Sequence, residues 1–148
     1  DYMRRQHNLL IGERSAERVK IEVGSALTEL DDGPADYEIR GRDLMTGIPK
    51  TIKISYSEIA FALDKSVSKL EEAVLKALET SPPELSADIY ERGIYLTGGG
   101  ALLRGLDRRL ALKTKLPIHV ADDPLRAVVR GTGQTLKNIQ QFRAVLMT

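Results

Sequence analysis

The feature that most narrows what this chain can fold into is Gly93-Ile94-Tyr95-Leu96-Thr97. This apolar run leads straight into Gly98-Gly99-Gly100 and then into a leucine stripe at Leu103, Leu106 and Leu110. The pattern predicts a buried strand, a glycine turn and a helix. Without Cβ atoms a backbone can turn sharply from strand to helix, and a flat or charged ligand can approach the main chain, where free amides at a helix start favour polar ligand atoms. Glycine at such a turn is also used simply for steric relief, and the residues alone leave both uses open. Neither G-x-x-x-x-G-K followed by Ser or Thr, nor G-x-G-x-x-G, is matched, so a P-loop or Rossmann assignment does not follow.

Downstream, Pro117-Ile118-His119-Val120 reads as a second short strand. Asp123 with Pro124 caps a last helix through Leu125, Val128, Val129, Thr132, Leu136 and Ile139. The order strand, helix, strand, helix predicts a layered α/β core. Gly131 and Gly133 inside that helix cost roughly 1 kcal/mol each relative to Ala, which close packing against another backbone would explain.

Upstream, Ser15 reads as an N-cap, followed by a helix with Ala16, Val19, Val23 and Ala26 on one face that ends between Gly24 and Leu27. Asp31-Asp32-Gly33-Pro34 is turn chemistry. Tyr37 and Ile39 alternate with Glu38 and Arg40; Ile52, Ile54 and Tyr56 alternate with Lys53 and Ser55; Gly47 and Pro49 lie between. A small antiparallel hairpin is predicted, inserted into the larger fold. Ser55 with Glu58 forms a capping box for a long amphipathic helix carrying Ile59, Leu63, Val67, Leu70, Val74 and Leu78. Pro82-Pro83 end it, and Ser81 with Glu84 repeats the capping pattern ahead of a short helix through Leu85 and Ile89.

Composition excludes several function classes. The 148 residues carry 22 Lys and Arg against 21 Asp and Glu, so charge points to neither nucleic acid nor an acidic membrane surface. There is no cysteine, and the two histidines, His7 and His119, have no ligand-like spacing. Thiolate zinc sites and disulfides are thereby removed, and no metal site or His-based triad is expected. No apolar run approaches the roughly 18 residues of a membrane span and no signal peptide opens the chain, so a cytoplasmic protein is expected. The start at Asp1, without methionine, suggests a piece of something longer. Glu17 and Lys20, at i and i+3 on the first helix, either grip ribose hydroxyls and a purine edge or form an exposed ion pair of a few tenths of a kcal/mol.

Three segments carry a family resemblance: Ile11-Gly12-Glu13-Arg14-Ser15-Ala16-Glu17-Arg18-Val19-Lys20-Ile21-Glu22-Val23-Gly24, Ser81-Pro82-Pro83-Glu84-Leu85, and Glu91 through Leu106 with the glycine triplet. Asp122-Asp123-Pro124-Leu125 and Arg130-Gly131 continue it. Together they resemble the MreB family of bacterial actin homologues over nearly the whole chain. The strand-glycine-helix element alone is shared with actins, heat-shock chaperone ATPases and sugar kinases; the E-R-x-K helix and the P-P-E-L linker in this order narrow it.

The resemblance implies the C-terminal half of an actin-like ATPase fold, α/β and ribonuclease H-like, with a small α+β insertion subdomain. Residues 1–30 and 82–148 would form the core called IIA, and 31–81 the hairpin and long helix of IIB. Gly98, Gly99, Gly100, Ala101 and Leu102 would line the adenosine side of an ATP site, with Glu17, Arg18, Val19 and Lys20 on the other side. No catalytic or metal-binding residue is expected here. The acidic, Gly-rich phosphate loops belong to the family's first half, Mg²⁺ is expected only with that half, and the chain alone is predicted inactive. The implied function is an ATP-binding cytoskeletal protein whose membrane-associated filaments control rod cell shape and peptidoglycan synthesis at the inner face of the cell membrane. Its partners would be itself, RodZ, MreC and MreD. It would bind no nucleic acid, and its membrane association would be indirect. Alternatives are half of a sugar or acetate kinase, or an interaction module that uses no nucleotide.

Overall fold

The computed structural model describes residues 1–143. In chain order the elements are α1 (Tyr2–His7), β1 (Leu9–Leu10), α2 (Glu13–Val23), β2 (Tyr37–Asp43), β3 (Pro49–Ile54) and α3 (Tyr56–Glu79). They continue with α4 (Pro83–Arg92), β4 (Ile94–Leu96), a 3₁₀ turn (Gly99–Leu102), α5 (Leu106–Thr114), β5 (Ile118–Val120) and α6 (Ala127–Lys137).

The expected hairpin forms, with Tyr37 opposite Ile54 and Ile39 opposite Ile52, so that the apolar members of the alternation share one face. A third strand, β1, which the sequence did not signal, adds on the other side of β2, pairing Leu9 with Asp43 and Leu10 with Arg42. The second sheet is parallel, Ile94 opposite Ile118 and Leu96 opposite Val120, and α5 makes the crossover between its strands. The long helix opens as expected: Ser55 is extended and its Oγ accepts the Glu58 N–H at 3.2 Å.

Other helix ends differ from the sequence-based expectation. Ser15 is not a cap but lies inside α2, whose N-cap is the extended Gly12; the Gly12 carbonyl accepts the Ala16 N–H at 3.0 Å. Ser81 does not cap α4: its Oγ donates to the Ala77 carbonyl at 2.8 Å, satisfying an end group of α3, and Pro82 stands at the N-cap instead. Leu103 falls outside α5, because the glycine turn runs as a separate 3₁₀ turn and the α-helix restarts only after Gly105, in the left-handed region at φ 73°. Asp123 is left-handed too, at φ 49°, and α6 starts at Ala127, leaving Leu125 in the preceding turn and Ile139 beyond the helix end. Gly131 and Gly133 meet no close neighbour: a Cβ on either would find nothing within 4 Å. The packing expected around them is absent among the described residues.

Two cores result. The first gathers Met3, Leu9, Val19, Val23, Ile39, Ile54 and Ile59, placing α1, α2 and the three-stranded sheet around the start of α3. The second gathers Ala26, Val67, Leu106 and Leu110, with Leu96 and Ile118 of the parallel sheet packed against it. Leu63 touches both, so α3 is the shared wall. Arg109 on α5 fastens that wall. It donates to both carboxylate oxygens of Glu71 at 2.8 and 3.3 Å, to Ser68 Oγ at 3.1 Å and to the Ala26 carbonyl at 3.0 Å, and it pairs with Asp64 at 2.8 Å.

Candidate functional site

Gly98 has φ 79°, a conformation that L side chains rarely adopt, and its N–H donates to the Pro124 carbonyl at 2.7 Å. The backbone therefore needs glycine there. Its two successors are different. A Cβ on Gly100 would meet nothing within 4 Å, and one on Gly99 would touch only Leu125 Cδ2, at an ordinary 3.4 Å. Neither has a left-handed φ. Steric relief inside this chain accounts for Gly98 and leaves Gly99 and Gly100 unexplained. Both are exposed, as is Leu102, whereas Ala101 is buried at 6%. The turn thus offers a bare strip of main chain, which suits the close approach of a flat ligand.

Glu17 and Lys20 sit side by side on α2, Nζ to Oε2 at 2.7 Å, both about half exposed. They line one shallow concavity with Leu63, while Gly100 and Ala101 line another, mostly apolar, with Leu70, Val74 and Leu96. Val19 is 4% exposed and committed to the first core, and Arg18 lies against the edge of β2 rather than beside Glu17 and Lys20.

The end of α2 is tied to the residues that follow the glycine turn. Ser25 and Arg104 form a parallel bridge, and the Ala26 N–H donates to the Arg104 carbonyl at 2.8 Å. The Arg104 guanidinium donates to the carbonyls of Ile21 and Glu22 at 3.2 and 2.9 Å, covering the open C-terminal end of the helix. A Cβ on Gly24 would stand 2.1 Å from the Lys20 carbonyl oxygen and 3.1 Å from Leu103 Cδ1, so a side chain at position 24 would push the two segments apart. Arg104, Ser25 and Gly24 thus hold the end of α2 to the residues after the glycine turn, a tie for which the sequence offered only Gly24 as a helix end. Arg104 in particular reads as one more surface cation until the fold brings it to the helix end. No group of three or more His, Asp or Glu residues suited to a metal ion occurs among the described residues. The arrangement can hold and orient a ligand; it contains no nucleophile paired with a base.

Comparison with known proteins gives a consistent result. The family described as MreB/Mbl protein matches residues 1–144. The cell shape-determining protein Mbl of Bacillus subtilis (strain 168) is 45% identical over 142 residues, 96% of this chain and 42% of that protein. The cell shape-determining protein MreB of Escherichia coli (strain K12) is 48% identical over 139 residues, 94% of this chain and 40% of that protein. The chain therefore spans about two fifths of the length of these relatives. Among solved structures, MreB5 of Spiroplasma citri bound to ADP superposes with a TM-score of 0.87 at 38% identity, covering 95% of this chain and 42% of that one. The same protein bound to AMPPNP gives 0.87 again. A MamK double helical filament, at TM-score 0.63 and 19% identity over 83% of this chain and 37% of its own, shares the fold.

Proposed function

The chain belongs to the MreB/Mbl family of actin-like, cell shape-determining proteins, and from that premise we propose that it supplies the adenosine-binding wall of an ATP-dependent filament subunit. The observation that carries this reading is the bare main chain at Gly99 and Gly100, where nothing in the packing of the described residues requires glycine. An adenosine lying on that strip would be the missing neighbour. Glu17 and Lys20, held in position by the tie from α2 to Arg104, would meet the same group through ribose hydroxyls and the base edge. The nucleotide-bound states of MreB5 of Spiroplasma citri support the assignment.

In a polypeptide of its relatives' length, phosphates and Mg²⁺ would be held by the remainder, and hydrolysis would take place there. This chain's residues would bind and orient, Gly98 to Leu102 by shape, Glu17 and Lys20 by hydrogen bonds. Polymerisation into filaments that direct wall synthesis at the inner face of the membrane, with RodZ, MreC and MreD as partners, belongs to the same proposal. So does the division into an α/β core of residues 1–30 and 82–148 and a smaller unit of 31–81 built on the hairpin, against which α2 packs.

The test is titration with fluorescent ATP. Each hydrogen bond to a charged group contributes roughly 1.5–3 kcal/mol, and each 1.4 kcal/mol is about tenfold in affinity. The 148-residue chain, without the family's phosphate loops around an adenosine held at the glycine turn, should bind the nucleotide there orders of magnitude more weakly than a polypeptide of its relatives' length and release no phosphate. In the longer polypeptide Gly99→Val should weaken binding while leaving the melting temperature nearly unchanged, because position 99 has room for a side chain. Equal affinity of variant and wild type would remove the glycine turn from the site.

A further inference from the structure

A cleft of about 410 Å³ separates α2 from β2, and three arginines line it: Arg14 and Arg18 from the helix and Arg40 from the strand. Arg14 and Arg18 stand four residues apart and so share a helix face. On the strand side the lining is the consecutive run Tyr37 to Arg40. Successive strand residues point to opposite faces, so a cleft lined by four in a row follows a strand edge. That edge is open for a structural reason. β1 pairs only with Arg42 and Asp43, so the first residues of β2 have no strand beside them on that side.

The arginine ion pairs among the described residues are made by Arg108, Arg109 and Arg126, and the arginine hydrogen bonds by Arg104, Arg108 and Arg109. Arg14, Arg18 and Arg40 take part in none of these. Glu38 is the sole carboxylate in the lining and Ser15 adds a hydroxyl, so the wall carries net positive charge with unused donors. The first turn of α2 opens on the same cleft: Arg14 and Ser15 are its second and third residues, and the N-cap Gly12 has no side chain to cover their N–H groups.

We propose that this cleft is an anion site that binds a phosphate group, separate from the glycine turn and sharing only Arg18 with the adenosine reading. Three arginines lining one space, each with a planar fork of donors, suit an oxyanion with three free oxygens better than a carboxylate with two. The volume falls within the roughly 300–1,000 Å³ of ligand sites. The group can come from a soluble polyphosphate compound or from a lipid headgroup.

The probe is inorganic tripolyphosphate, which carries no adenosine and so is blind to the glycine turn, titrated calorimetrically into the chain at low salt. Binding should weaken as salt rises, and the Arg14→Gln/Arg40→Gln double variant should lower affinity by on the order of 100-fold, about tenfold per arginine. Arg18 is left intact because it is also a candidate adenosine contact. In parallel, flotation with vesicles of phosphatidic acid and phosphatidylcholine, against phosphatidylcholine alone, identifies a lipid source, the phosphomonoester of phosphatidic acid carrying three free oxygens. Arginine-dependent binding in either arm sustains the site and names the source. Absence of binding in both, or binding that the double variant leaves unchanged, overturns it. Should the double variant fail to fold, NMR mapping on the unaltered chain decides: tripolyphosphate shifts at the Arg14, Arg18 and Arg40 side chains support the cleft, and shifts confined to other residues refute it.

Discussion

The two ends of the molecule handle their apolar residues in opposite ways. Around the hairpin sheet, Leu9, Val23, Ile39 and Ile54 are each no more than 2% exposed, and the sheet, α1, α2 and the start of α3 close over one another. At the other end α6 has no buried residue at all; Val128 is 66% exposed, Val129 73% and Leu136 60%, while Tyr95 on the parallel sheet is 65% exposed. A parallel sheet is normally covered on both faces, and a helix stripe this apolar normally faces a core. The antiparallel unit completes itself from local chain. The parallel unit is covered by α5 and α3 and, among the described residues, displays the rest. The same contrast holds at Gly131 and Gly133, whose missing side chains answer to nothing among the described residues.

The sharpest way to break this comparison is to cut into both ends and compare the losses. Leu9→Ala should destabilise the chain by about 3 kcal/mol, within the ~2–5 kcal/mol range for Leu→Ala in a closed core, whereas Val129→Ala should change stability by less than about 0.5 kcal/mol. Urea unfolding measures both. A cost above about 1 kcal/mol for Val129→Ala would mean that α6 packs on the chain after all.

The joint between the two ends gives the next effect. Arg109→Ala leaves Glu71, whose side chain is 12% exposed, without its partner and removes the link from α5 to α3 and Ala26. A loss of about 2 kcal/mol is expected, smaller than for a fully buried pair because Asp64 reaches solvent. Thermal melts followed separately at Tyr37 in the first unit and Tyr95 in the second should part company in this variant. Coincident melts would show that α3 alone couples the cores. Smaller again, Ser55→Ala should cost about 1 kcal/mol through the lost cap at the head of α3, read as a shift in the urea midpoint.

The smallest effect is local and depends on pH. At the hairpin tip Asp43 accepts the N–H groups of Met45 and Thr46 at 2.7 and 3.2 Å, and these bonds, followed by Lys50, hold its carboxyl below the usual carboxylate range. A lowered pKa means that the folded tip favours the charged form. Its contribution is complete above the unfolded value of about 3.9 and is lost as pH falls through the lower folded one. Amide signals of Met45 and Thr46 should move on acidification in that window, and Asp43→Asn should abolish the movement. Tip signals that titrate identically in the variant would remove the role.

How much of this was legible in the chain depends on the range of the interaction concerned. Alternation at Tyr37 to Arg40 and at Ile52 to Tyr56, the leucine and valine stripe of α3, and the run into Gly98 each arise from contacts within one element, so periodicity alone revealed hairpin, helix and strand-turn-helix. The family motifs likewise lie in continuous segments. β1 escaped notice because two residues carry no period, and its pairing with Arg42 and Asp43 is set by the hairpin it joins. Ser15 and Ser81 each have the chemistry of a cap; which carbonyl or amide a serine serves is decided by where the neighbouring helix ends, as the bond from Ser81 to Ala77 shows.

The glycine triplet marks the boundary most clearly. The sequence by itself determined that a turn stood there and that it followed a strand. Only the tertiary structure separated Gly98, required by its φ, from Gly99 and Gly100, which nothing among the described residues requires, because that distinction depends on the backbone conformation and on what surrounds each missing Cβ. Only the tertiary structure brought Arg104 to the end of α2, more than eighty residues earlier, and placed Arg40 opposite Arg14 and Arg18. Local pattern fixes elements through backbone preference and burial on one face. Sites are assembled by packing between elements distant in sequence, and no period in the chain encodes which surfaces will meet.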